Sequence, residues 1–160
     1  MLMQAFIIAH EMPLVLVGNW NSTEWGREMK VKYEKQKSLV LLDAIYDKSI
    51  LDVLRSNCYL YVHGHSAGGT NPSLCEAMYL GLPILAFSNG YNENTTNFCA
   101  KYFKDADDLC QIVKTISQDE LDQMRPKLKA YADEHYRWEG VAKEYEKLFK
   151  EVCDKTIETK

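Results

Sequence analysis

Short apolar runs separated by longer amphipathic or polar stretches recur along this chain. Leu14–Val17 reads LVLV and stops at Gly18, Leu39–Leu42 reads LVLL, and Cys58–His63 reads CYLYVH. Pro83–Phe87 reads PILAF, and a short fifth segment, Ala100–Phe103, reads AKYF. Apolar runs of this length that do not alternate with polar residues predict strands buried on both faces. Aromatic and branched residues in the third run favour extended chain. The stretches between them read as helices. Asn21 with Glu24 three residues later predicts a cap and an amphipathic helix through Lys35. Asp47 predicts the cap of a helix through Ser49–Ser56, and Asn71-Pro72 starts another that Gly81 stops. Ser88–Asn97 reads as a loop. From Asp105 to about Lys150 the pattern is helical in two or three pieces, with Pro126 and Gly140 as candidate breaks.

Strand–helix–strand alternation with buried strands predicts an α/β fold: a Rossmann-like, doubly wound parallel sheet covered by helices on both faces. Residues 1–160 fit one domain, with no linker to divide them. The opening MLMQAFIIAH is helix-like and has no strand before it to cross over from. The expectation is a fragment of a longer chain, its sheet lacking a first strand. Nineteen basic against 23 acidic residues, net −4, leave no basic excess for nucleic acid. Five cysteines without a C-x-x-C pair point to free thiols in a reduced compartment.

The segment HGHSAGGTNPSLCEAM, His63–Met78, leaves the carboxyl end of the third strand. Ligands of open parallel sheets bind there. Gly64, Gly68 and Gly69 permit a close backbone approach, and Asn71-Pro72 opens a helix whose first amides attract anions. Glu76 shares the helix face of Pro72 and Ser73, and helical side chains lean toward the N-terminus. Its carboxylate therefore tilts back toward the loop, where it can accept hydrogen bonds from paired hydroxyls such as those of ribose. A nucleotide sugar or dinucleotide fits both features. The competing reading is a tight turn followed by a solvated glutamate.

The segment GGTNPSLCEAMYLGLPILAF resembles the donor-binding segment of group 1 glycosyltransferases of the GT-B fold. Their pattern is E-G-F-G-x-x-x-x-E-A-M-A-x-G-x-P-V-I-A, and Glu76-Ala77-Met78, Gly81, Pro83 and Ile84 stand at matching places. LVLVGN, AIYDKSILDVLRSNCYLYVH and the closing YRWEGVAKEYEKLF extend the resemblance over nearly the whole chain. More narrowly, GHSAGGTNPSL with YNENTT downstream is similar to bacterial rhamnosyltransferases of capsule and O-antigen assembly. The resemblance implies the C-terminal half of a cytoplasmic enzyme that transfers a sugar with retention, without metal or other cofactor. The donor would be dTDP-, UDP- or GDP-linked. The acceptor, a saccharide or a lipid-linked saccharide at the inner membrane face, would sit on an N-terminal domain outside this chain.

By position, Glu76 would bind the ribose, Gly68, Gly69, Thr70, Asn71 and Ser73 would meet the diphosphate or sugar, and Ile45 and Tyr46 the base. His63 and His65 would help to position the donor. The family's first glutamate falls on Gly68, which leaves the sugar's usual contact absent. The fragment alone is expected to bind donor weakly and to turn over nothing. Two other chemistries compete. Gly64, Ser66 and Gly68 mimic a nucleophile elbow, implying a serine hydrolase, but the helix starts at Pro72 rather than directly after Ser66. His63-x-His65 offers two ligands where zinc needs three or four. A nucleotide-binding domain without transfer activity is the non-enzymatic alternative.

Overall fold

The computed structural model describes residues 1–158, with side chains through Asp154. Its first half runs α1 (Leu2–Ala9), β1 (Leu14–Gly18), α2 (Glu24–Tyr33), β2 (Leu39–Asp43), α3 (Lys48–Ser56) and β3 (Tyr61–His63). Its second half runs α4 (Pro72–Tyr79), β4 (Ile84–Phe87), α5 (Tyr91–Thr95), β5 (Lys101–Phe103), α6 (Ala106–Thr115), α7 (Gln118–His135) and α8 (Trp138–Glu158). All strand pairs are parallel, and the α/β alternation is as expected.

The apolar runs are explained by β4. Leu85 belongs to a core shared with Phe6 of α1 and Leu109 of α6, whereas Ile84 and Ala86 pack with Leu74 of α4 and Leu128 of α7. Successive strand side chains point to opposite faces. With a helix layer on each side, every position of β4 must be apolar.

The sheet is in two pieces. β1 pairs with β2, and β3, β4 and β5 pair in that order, with no ladder between β1 and β3 among the described residues. Between them lies a cavity of about 800 Å³, lined by Val15, Leu16 and Val17 on one side and Tyr61, Val62 and His63 on the other. Because side chains alternate, three consecutive residues of one strand line a space together only along its backbone edge. The cavity therefore separates two strand edges.

Several local expectations are corrected. Thr23, not Asn21, caps α2: its Oγ1 accepts from the Gly26 N–H at 3.0 Å. The chain folds back so tightly that a Cβ on Gly26 would lie 2.5 Å from the Trp20 carbonyl oxygen. The third strand begins at Tyr61 rather than Cys58. Cys58 still completes the end of α3, its N–H donating to the Arg55 carbonyl and its thiol contacting that of Leu54. Pro126 and Gly140 lie inside α7 and α8 and break neither. The breaks fall at Ile116-Ser117, where Ser117 and Glu120 form a capping box, and at Tyr136-Arg137. Asp47 and Asn71 cap α3 and α4 as expected.

Candidate functional site

The loop from His63 to Asn71 leaves β3 and turns into α4, at the carboxyl end of the parallel strands. Its first part is tied down from α5. Asn89 and Asn92 each donate from Nδ2 to the His65 carbonyl, at 3.1 and 3.0 Å, and Asn92 also bonds the Phe87 carbonyl at 2.7 Å. Glu93 braces this turn by accepting from Ser88 Oγ and from the Asn89 and Gly90 N–H groups. Burial works to raise the Glu93 carboxyl, but these bonds outweigh it and hold the group below its ordinary range. The segment Ser88–Asn97, expected as a loop, is thus built around a helical turn. Its buried side chains are polar and bond backbone groups of the turn and of the neighbouring loop, so no apolar period marks it.

The glycines differ in purpose. A Cβ on Gly64 would come within 2.8 Å of Leu2 Cδ1, so a side chain there would displace Leu2, and both residues line the cavity. Gly68 has φ of +103°, which favours glycine, and nothing lies within 4 Å of a Cβ built there. Gly69 and Thr70 are exposed beside it. Asn71 Oδ1 then accepts from the Ser73 N–H at 3.0 Å and opens α4.

Ile45, His63, His65, Ser66 and Ser73 all line the cavity, together with Leu51, Leu54 and Arg55 from α3. Tyr46 does not join them; it is 85% exposed, where its ring meets water instead of the cavity wall. Gly68, Gly69 and Thr70 stand on the loop outside that lining. His63 and His65 stack with ring centroids 4.7 Å apart. His63 is only 1% exposed, and neither of its ring nitrogens has a hydrogen-bond partner among the described residues. Burial first, and the neighbouring His65 second, pull its pKa down to about 4, so the ring is neutral near pH 7.

Glu76 projects from α4 toward α3. Arg55 Nη1 donates to its Oε2 at 2.6 Å, and Lys48 Nζ lies 3.6 Å from its Oε1. Asp52 sits between the two cations, 3.7 Å from Lys48 and 3.9 Å from Arg55. Lys48, Asp52 and Arg55 follow i, i+4, i+7 spacing and so form one stripe along α3. The expectations above contain none of these three; the sequence signal for them is that spacing, legible once α3 is known to face α4. Ser66 makes no hydrogen bond to either neighbouring histidine among the described residues, and six positions separate it from the first residue of α4. Among the described residues, no group of three or more His, Cys, Asp or Glu is placed to hold a metal ion.

No family model matches the sequence, and no curated protein is similar enough in sequence to match. Solved structures do match. The pneumococcal O-GlcNAc transferase GtfA, solved with UDP and GlcNAc, superposes with a TM-score of 0.68 at 19% identity, over 94% of this chain and 32% of its own. Anabaena HepE, solved with UDP, gives a TM-score of 0.74 at 15% identity, over 93% and 44%. WaaG, a glycosyltransferase involved in lipopolysaccharide biosynthesis, gives 0.64 at 18%, over 82% and 38%. The chain thus has the fold of part of the GT-B glycosyltransferases and spans a third to under half of the length of each.

Proposed function

We propose that this chain is the donor-binding domain of a glycosyltransferase that takes its sugar from a nucleoside diphosphate. The observation that carries the reading is one juxtaposition. A glycine-containing loop, a capped helix N-terminus and a carboxylate meet beside a cavity at the carboxyl ends of parallel strands. Helix amides suit a diphosphate, while a carboxylate suits hydroxyls and not phosphate. Glu76 accordingly receives the ribose, and the Gly68–Thr70 loop with the amides after Asn71 receives the diphosphate. Ser73 adds a hydroxyl there, and His63 and His65 help to hold the donor. Ile45 offers an apolar wall for the base, and Tyr46 its rim. UDP in two of the superposed structures supports a uridine, guanosine or thymidine diphosphate as the probe class.

The full protein, in this reading, is a retaining transferase acting on a saccharide or lipid-linked saccharide, without metal or other cofactor. It works on the cytoplasmic side, against the membrane when the acceptor is lipid-linked. A bacterial surface polysaccharide is the product class, with rhamnose the sugar suggested by GHSAGGTNPSL and YNENTT. The divided sheet supports a further strand between β1 and β3 in that protein.

Ligand-observed NMR with UDP, dTDP and GDP tests the proposal. One of them is expected to bind the chain at millimolar concentration or better, and Glu76→Ala to lose the sugar-proton contacts while keeping those of the base. No binding by any of the three, in this chain and in one extended by a strand ahead of Met1, sinks the proposal.

A further inference from the structure

The Arg55–Glu76 pair has the form of a device for aiming a carboxylate. Glu76 is a long side chain on an exposed helix shoulder, 40% exposed, and without a partner it would sample several rotamers. Arg55 is held differently: its side chain is 14% exposed and lines the cavity beside Leu51 and Leu54. A guanidinium seated in that wall presents its N–H groups in a fixed fork, and at 2.6 Å the charge-assisted bond is short even for its kind. It engages one oxygen only. Glu76 Oε1 has no hydrogen bond among the described residues, and its neighbour Lys48 stands 3.6 Å away with a 73% exposed side chain. An ionised carboxylate has about four acceptor sites, so a single bond from Arg55 leaves acceptors for a ligand's hydroxyls.

The charges also balance. A lone carboxylate beside a diphosphate site would repel the phosphates. Here Arg55 and Lys48 offset Glu76 and Asp52 within one contiguous cluster. We infer that Arg55 is a positioning residue: it holds Glu76 in the orientation that reads the hydroxyls of the nucleotide's pentose. This rests on the nucleotide-binding reading above and adds a residue to it.

The test compares, by calorimetry on the 160-residue chain, UDP, dTDP and GDP with the 2′,3′-dideoxy counterpart of each. In the wild type, the nucleotide that binds is expected to exceed its dideoxy form by at least about tenfold, the range for hydrogen bonds to a charged group. Arg55→Met keeps the buried stem and removes the fork. It is expected to weaken both ligands, because the Glu76 charge is no longer offset, and to shrink that ratio to about threefold or less. Arg55→Lys is expected to recover part of the ratio, and Glu76→Gln to lose it as Arg55→Met does. Circular dichroism of each variant checks that it folds. A ratio unchanged in Arg55→Met, whatever the overall affinity, overturns the role of Arg55 and leaves the nucleotide reading standing. No binding of any of the three nucleotides, by the wild type and by the chain extended by a strand ahead of Met1, defeats that reading, and the role of Arg55 with it.

Discussion

His63 carries two ring nitrogens into a buried place where neither finds a partner among the described residues, and that has a thermodynamic signature. Its folded pKa of about 4 lies below the ordinary 6.5, so the unfolded chain takes up the proton first as pH falls. Stability is therefore fully present above about pH 6.5, declines between 6.5 and 4, and levels off below. The difference corresponds to roughly 3 kcal/mol at the low end. In His63→Phe, which keeps a ring beside Tyr61 and His65, this part of the acid dependence is expected to vanish, and stability at pH 7 to hold or rise by about 1 kcal/mol. Urea midpoints at pH 7 and 4.5 check it; parallel losses in both proteins would refute it. The glycines and Glu76 of this region were legible as local chemistry, because spacing along a helix fixes which side chains share a face. Arg55 was not, since its meaning depends on a contact with Glu76, 21 residues away. Tyr46 read as part of the base pocket, but nothing in its neighbours reveals that its ring turns outward.

At the scale of elements, Pro126 shows how a local rule is overridden. Proline removes a hydrogen bond and crowds the preceding turn, so a break was the natural expectation. Yet Leu121, Met124, Leu128 and Ala132 of α7 are all buried, and their shared apolar face runs straight past the proline, which is exposed on the outer side. Packing of that face holds the helix together. Pro126→Ala is accordingly expected to raise stability by about 1–3 kcal/mol without moving the helix ends, read by a higher thermal midpoint. A lower midpoint would show that the proline is needed where it stands. Asn71→Ala, which removes the α4 cap, is expected to cost about 1 kcal/mol in the same measurement. The strands, α6 and α7 were readable because each buries a regular face. The turn Tyr91–Thr95 was not, because its support comes from Glu93 and the two asparagines rather than from any periodic pattern.

Across the whole molecule, the two sheet pieces are unequally buried. β4 and β5 lie between α6 on one face and α4 and α7 on the other, with Leu85, Ile84 and Phe103 fully buried. By contrast, Val15, Val17 and Val40 of β1 and β2 are each more than a third exposed, and α3 buries no residue fully. Hydrogen exchange is therefore expected to find the β1–β2 unit with α2 and α3 opening at lower free energy than β4, β5, α4 and α7. Uniform protection across both would contradict this. The doubly wound architecture could be read from the alternation of runs, but the interruption of the ladder is a property of which strands meet and leaves no mark on any one of them. That interruption has a colloidal consequence. Backbone donors and acceptors along the facing edges of β1 and β3 are a template for any extended segment, including one from a neighbouring copy. Concentrating this chain raises the supply of such segments, so its solution lifetime is governed by how crowded it is as well as by how stably it folds.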